Sequence, residues 1–264
     1  MRPAPLAVLL AILTLCSSSA AQDVSAITRP SGDVTLSFVK PGRIAEVLVK
    51  EGDVVKAAQV IVRQDDTAEQ VELAQLKAQS EATVRIRYYA AVVDQKKNEY
   101  GKLLEAYEKK AVSKWDVERA RLEVTSATLQ QELAQFEHDQ DGLKYRQRQA
   151  EVAQMRMASP IDGKVEKISL HPGEAANQNQ DVIRIVKVDP LWIEVPVPLK
   201  IARGLKKEAP ATVKFLDGVT QEAQGRIVLI AAVADAASDT LNVRVELPNA
   251  AGRPAGEHVT VRFQ

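Results

Sequence analysis

The spacing of apolar residues changes character three times along the chain. Between residues 33 and 63 they alternate with polar ones in short runs: Val34, Leu36 and Phe38, then Val47 and Val49, then residues 59–63. Pro41-Gly42 and Glu51-Gly52-Asp53 punctuate those runs. A period of two with turn residues between predicts strands with one buried face, and residues 24–28 read as a further short strand before Pro30-Ser31-Gly32. From about Asp66 to Met157 the pattern is long and polar, with no Pro and with Gly only at Gly101 and Gly142. Ser113 followed by Asp116 reads as a helix N-cap with an acid at its third position. The break at Lys109-Lys110-Ala111-Val112-Ser113 therefore predicts two helical arms of roughly 44 residues, each about 65 Å long. After the cap, Trp115, Leu122, Leu129, Phe136, Leu143, Ala150 and Met157 recur every seven residues. Ala120, Ala127 and Ala134 form a parallel row, and Ile86, Ala90, Val93, Tyr100, Leu104, Tyr107 and Ala111 answer from the first arm. The pattern predicts a two-helix antiparallel coiled coil, with Trp115 as the first knob of the large-residue row.

Short strand-like runs resume at Ser159-Pro160-Ile161-Asp162-Gly163 and repeat the earlier ones. Counted from Gly42 and Gly163, Ile44 matches Val165, Val47 matches Ile168, and Val49 matches Leu170. Gly52 and Asp53 likewise match Gly173 and Glu174. Each half closes on a Val-Ile pair, Val60-Ile61 and Val182-Ile183, which reads as one extra residue in the second half. Strand register is unforgiving, so the match predicts two equivalent β-halves. Neither half is long enough to bury a core alone, but face to face they make a small sandwich.

The remainder opens with Leu191, Ile193, Val195 and Val197 on one strand face. A short helix within 198–207 and strands at 212–215, 226–230, 241–247 and 258–263 follow, joined by turns at Asp217-Gly218 and 249–256. Strands at that density predict a small closed barrel. The fold class is α+β. The expected domains are a signal peptide over 1–21, a sandwich from 22–65 plus 158–187, a helical hairpin over 66–157, and a barrel over 188–264.

Charge narrows the function class: 35 basic residues balance 35 acidic ones in 264, so no basic field gathers nucleic acid. Arg2, the apolar run from Leu6 to Leu15 and Ser17-Ser18-Ser19-Ala20-Ala21 read as a cleaved secretory signal, with the mature chain starting at Gln22. The lone cysteine, Cys16, lies inside it. Leu15 is large where a lipoprotein signal needs a small residue, which argues against a lipid anchor there.

Two half-motifs carry a family resemblance: Gly42-Arg43-Ile44 with Glu51-Gly52-Asp53, and Ser159 to Val165 with Pro172-Gly173-Glu174. They resemble the split lipoyl/biotinyl-like domain of the periplasmic adaptor subunits, or membrane fusion proteins, of tripartite efflux pumps. Val233 to Thr240 with Val243-Arg244-Val245 is similar to the adaptor β-barrel signature, and Gly252 to Gly256 resembles its closing turn. The resemblance implies a non-enzymatic scaffold in the periplasm of a Gram-negative bacterium. Its partners would be an inner-membrane transporter, proton-driven or ATP-driven, an outer-membrane channel protein, and further copies of itself in a ring. With the chain stopping at Gln264, it also implies a short form lacking a membrane-proximal domain.

Candidate residues follow. The hairpin tip (Tyr107, Lys110, Ala111, Val112, Ser113 and Lys114, with Lys102 nearby) is where the resemblance places the channel contact. Ala111-Val112-Ser113 with Val117-Glu118 and Ala120 resembles the family's tip sequence, although Lys102 and Ala106 stand where it has Arg and Leu. The amide-rich loop Asn177-Gln178-Asn179-Gln180 is a candidate gate lining the conduit, or an ordinary solvated turn. No catalytic, cofactor or metal site is expected. His138, His171 and His258 have no His or Cys at ligand spacing, and no phosphate loop or nucleophile elbow occurs. Two other classes remain: a lipoyl- or biotinyl-type carrier, and a coiled-coil structural protein unrelated to a pump. Met155-Arg156-Met157 looks like a biotin acceptor, but Arg156 stands in place of the acceptor lysine and is no nucleophile.

Overall fold

The computed structural model describes residues 23–216 and 222–263. The signal-sequence reading with Cys16 and the turn at Asp217-Gly218 lie outside the described residues. The chain divides into two units, Val34–Ile185 and Met1–Asp33 with Val186–Gln264.

The first unit contains the sandwich. Its strands are the end of β1 (Asp23–Ser37), β2 (Gly42–Val47), β3 (Val54–Val55), β4 (Val60–Gln64), β5 (Arg156–Ala158), β6 (Gly163–Ile168), β7 (Ala175–Ala176) and the start of β8 (Asp181–Pro198). One sheet runs β5-β4-β2-β7; in the other, β6 lies between β3 and β8, and β8 pairs with β1. The halves exchange equivalent hydrogen bonds. Ala58 N–H donates to the Ser159 carbonyl at 2.7 Å and Asn179 N–H to that of Phe38 at 3.0 Å. Gly52 N–H reaches the Val165 carbonyl at 2.9 Å and Gly173 N–H that of Ile44 at 2.8 Å. Leu48 N–H reaches the Ile61 carbonyl and Ser169 N–H that of Val182, both at 2.8 Å. Ile61 therefore corresponds to Val182 and Val62 to Ile183. No residue is inserted in the second half, because the matching of identical Val-Ile letters slips the true register by one. The matched pairs Ile44 and Val165, Val49 and Leu170, Ile61 and Val182 are all buried in one core. Gly52 and Gly173 occupy the left-handed region at φ 93° and 92°, where a Cβ is strained. Residues 24–38, expected as two strands around Pro30-Ser31-Gly32, fall almost wholly in the single strand β1.

The hairpin enters at Asp66, which is buried and salt-bridged to Arg63 at 3.7 Å and Arg156 at 3.6 Å. Gln70 Nε2 donates to the same carboxylate at 2.9 Å. Arg156, where an acceptor lysine would stand, is thus part of the hairpin's root, and Met157 is a core residue of the sandwich rather than the end of a helical row.

The first arm is not continuous. It comprises α1 (Thr67–Glu81) and α2 (Val84–Glu108), with Ala82 in an extended conformation at ψ 101°. The second arm, α3 (Lys114–Ala153), is unbroken. No Pro or Gly marks the break. The adjoining Thr83, Val84, Ile86, Tyr88 and Tyr89 are β-branched or aromatic residues that lose side-chain freedom in a helix.

The seam also differs from the expected one. Ala120, Ala127 and Ala134 are 2–8% exposed, whereas Trp115, Leu122, Leu129, Phe136 and Leu143 are 51–74% exposed. Val117 and Val152 are buried and Val124 half-buried, so the seam alternates between the row of Val117 and the row of Ala120. The large-residue row then falls at the heptad position farthest from the first arm. On that arm, Val93 is buried and Lys96, Tyr100 and Leu103 are half-buried, while Leu104, Tyr107 and Ala111 face outward. A seven-residue period keeps a row at a constant angle to the seam and does not say which row the seam is. Alanines let the backbones approach; a row of Leu and Phe in their place would hold them apart.

The second unit is the barrel. Its sheet runs β1-β12-β9-β10-β11-β8, with β9 (Pro210–Phe215), β10 (Glu222–Asp235), β11 (Thr240–Leu247) and β12 (His258–Phe263). Arg29 of β1 reaches Glu194 of β8 at 3.2 Å, so the two ends of that order come together. Ile193, Val195, Val213, Ile227, Val243, Val245 and Val261 fill the interior without exposure. Each contributes roughly 1.5–3 kcal/mol of burial. The expected helix is the single turn α4 (Leu199–Ala202). Buried Asn249 ties the closing turn: its Nδ2 donates to the carbonyls of Val188 and Arg253, and its Oδ1 accepts from Arg253 N–H, all at 2.9 Å.

Candidate functional site

The hairpin tip is built from two helix caps placed back to back. Helix α2 ends in a Schellman turn: Ala111 N–H donates to the Ala106 carbonyl at 2.9 Å and Lys110 N–H to that of Tyr107 at 2.8 Å. Lys110 takes the left-handed position, φ 60°, that glycine usually fills. Two residues later α3 begins in a capping box. Asp116 N–H donates to Ser113 Oγ at 3.3 Å, and Ser113 N–H donates back to the Asp116 carboxylate at 3.1 Å. Ser113 Oγ–H also donates to that carboxylate at 2.6 Å. These bonds hold the Asp116 carboxyl below the usual carboxylate range.

Tyr107, Lys110, Ala111, Ser113 and Lys114 are exposed around this turn, and Val112 is half-buried. Lys102 stands apart from them, on α2 beside a groove it lines with Val112, Asp116 and Arg119. The hydroxyl of Ser113 spends its proton and one lone pair inside the cap. What the tip offers a partner is therefore mostly the ammonium groups of Lys109, Lys110 and Lys114 on a rigid turn. Lys109, part of the break read from the sequence, belongs with them by position. Just below, Lys96 bridges the arms to Glu123 at 2.8 Å and also reaches Glu99 at 2.9 Å, which raises its pKa and lowers that of Glu123; the Glu99 carboxyl is lowered first by a hydrogen bond from Gln95 and then by Lys96. Trp115, expected as a knob, is exposed with the Arg119 guanidinium 5.7 Å over its ring.

The amide loop joins β7 to β8. Gln180 Oε1 accepts from Asn177 N–H at 3.0 Å and Asn177 Nδ2 at 3.2 Å. In the other half, Gln59 Oε1 accepts from Lys56 N–H at 3.0 Å in the same way. Ala58 and Asn179, at φ 64° and 57°, are the matching left-handed residues. Gln180 thus braces its own turn, as its counterpart does where no amide cluster exists. Asparagine suits the left-handed position of Asn179, which leaves Gln178 as the amide for which the turn supplies no structural reason. Among the described residues, no group of three or more His, Cys, Asp or Glu side chains is gathered as a metal site. None of their helices is long and apolar enough to cross a membrane.

Against known proteins, residues 190–264 match the family model of the CusB-like β-barrel domain. Comparison with curated proteins finds no match. Among solved structures, MacA from Actinobacillus actinomycetemcomitans superposes with a TM-score of 0.80 at 17% identity, over 92% of this chain and 78% of that one. The membrane fusion protein Spr0693 from Streptococcus pneumoniae R6 gives 0.66 at 13% identity, over 92% and 99%. The fold is that of the membrane fusion proteins. A putative efflux transporter from Bacteroides eggerthii is similar over 92% of this chain and 68% of its own, with a TM-score of 0.53 at 19% identity. Within the membrane fusion protein fold, the split sandwich, the hairpin inserted between its halves and the barrel after it are the parts read from the sequence.

Proposed function

We propose that the chain is a non-catalytic periplasmic adaptor of a tripartite efflux system, coupling an inner-membrane transporter to an outer-membrane channel. The observation that carries this reading is the inserted hairpin itself. An antiparallel rod with a narrow alanine seam ends in a rigid, capped, lysine-bearing tip, and no chemistry is assembled along it. The tip meets the channel, with Lys110, Ala111, Val112 and Lys114 at the contact, Tyr107 and Lys102 flanking it, and Ser113 holding the turn. The barrel carries the transporter contact.

The outward row of Trp115, Leu122, Leu129, Phe136 and Leu143, joined by Leu133, supports self-association into a ring. A row that keeps a heptad period while facing away from its own partner arm suits a second coiled-coil surface, and exposed apolar rows of this extent mark interfaces. Asn177, Gln178 and Asn179 would line the conduit of such a ring, with Gln180 bracing the loop. If Asn177→Ala with Gln178→Ala leaves export unchanged, the gate is abandoned.

The carrier reading loses its acceptor, since Arg156 is tied to Asp66 and Met157 is buried. Co-purification tests the adaptor reading. The full chain, cross-linked in its own cells, should bring down a transporter and an outer-membrane channel. Reversing Lys109, Lys110 and Lys114 to Glu should lose the channel and keep the transporter. Recovery of neither from the unaltered protein contradicts the proposal.

A further inference from the structure

The break in the first arm coincides with a second weakness across the seam. Arg85, at the start of α2, pairs with Glu137 at 2.6 Å, so the break at Ala82 and Thr83 lies level with the stretch of α3 from Glu137 to Gly142. At that level Gln79, Ala82 and Tyr89 line an open groove of about 540 Å³ with Ala134, His138 and Asp141; a groove of about 680 Å³ also lies nearer the tip, so it is the broken helix rather than the groove that singles out this level. His138 Nδ1 is buried there without a hydrogen-bond partner. A Cβ added to Gly142 would meet nothing within 4 Å, so no close packing demands glycine at this point. Glycine in a helix interior lowers the cost of leaving the helical conformation.

The segments on either side are better tied. Farther toward the tip, Val93, Ala120 and Ala127 are buried and Lys96 bridges the arms. Toward the root, Val152 is buried, Arg148 joins α3 to Glu72 of α1, and Glu151 reaches Lys40 at 3.6 Å. Helix α1 itself has no buried residue.

We infer that residues 79–86 with 138–145 form a joint within the hairpin. The distal segment, α2 with the first part of α3, bends there as a unit relative to the root. The broken arm opens and closes at Ala82-Thr83, and α3 flexes at Gly142. Such a joint lets the tip change direction while the sandwich stays fixed, without breaking the seam on either side. The inference does not depend on what the tip binds.

The test measures distances by pulsed electron spin resonance on the full chain in a Cys16→Ser background. One spin-label pair crosses the joint, at Gln130→Cys and Lys167→Cys. A second lies wholly beyond it, at Lys102→Cys and Gln130→Cys. The crossing pair should give a distribution at least twofold broader. Gly142→Ala should narrow it, and Gly101→Ala, an equally unpacked glycine level with an unbroken stretch of α3, should not. Amide hydrogen exchange gives an independent reading: residues 142–146 should exchange at least tenfold faster than 124–128, and Gly142→Ala should remove most of that difference. Equal widths for the two pairs, indifference to Gly142→Ala, equal narrowing by Gly101→Ala, or uniform exchange along α3 would each overturn the joint.

Discussion

Lys110 shows how one residue serves the turn at a cost. A non-glycine side chain at φ 60° is strained, so Lys110→Gly should stabilise the protein by roughly 0.5–1 kcal/mol in a urea titration. If the ammonium also contacts a channel, the same change should weaken channel capture, and those opposite signs separate a structural from a recognition role. Ser113→Ala should lower stability by about 1 kcal/mol through loss of the cap, with Ser113→Thr retaining most of it. Asp65 gives a pH prediction. Hydrogen bonds from Arg43 at 2.7 Å and from Thr67 lower its carboxyl from 3.8 to about 2. A depressed folded-state pKa means the stabilisation is fully present above pH 3.8 and is lost as pH falls toward about 2. Asp65→Asn should therefore flatten the acid limb of the stability curve, and carbon-detected NMR titration should find the wild-type carboxyl ionised well below pH 3.8. Capping by Ser113 and Asp116 was legible in the sequence because both bonds are local. The left-handed Lys110 was not, because lysine carries no signal for that conformation.

Among the elements, the helical hairpin is the clearest case of a pattern read rightly and placed wrongly. Length, polarity and period gave two antiparallel arms. The choice of seam turned on whether large or small residues meet, and two rows shared one period. A seam lined by alanine predicts that Ala127→Leu, which overpacks it, destabilises the hairpin by about 1–3 kcal/mol. Leu129→Ala on the outer row should leave monomer stability nearly unchanged while reducing self-association in sedimentation velocity. Reversed effects would restore the large-residue seam. The break at Ala82-Thr83 lay hidden because it rests on weak helix formers rather than on Pro or Gly. The half-repeat, by contrast, was visible in turn glycines and alternating valines, and hydrogen bonding corrects it by a single residue.

For the molecule as a whole, the order of parts was readable because each has its own period: two for the sandwich halves, seven for the rod, two again for the barrel. Insertion of the rod between matched halves is what forces segments far apart in sequence into one core. The proposed docking partners rest on family resemblance alone, since contact surfaces need exposed residues rather than buried ones, and exposure leaves little pattern. The central claim is that the hairpin tip and the barrel address different membranes. The most direct measurement places a photoreactive amino acid at Ala111, on the tip, or at Val233, which is 82% exposed on the barrel. Irradiation of living cells is followed by mass spectrometry of the cross-linked products. The account predicts an outer-membrane channel protein from Ala111 and an inner-membrane transporter from Val233. The same partner from both positions, or no membrane protein from either, would contradict it.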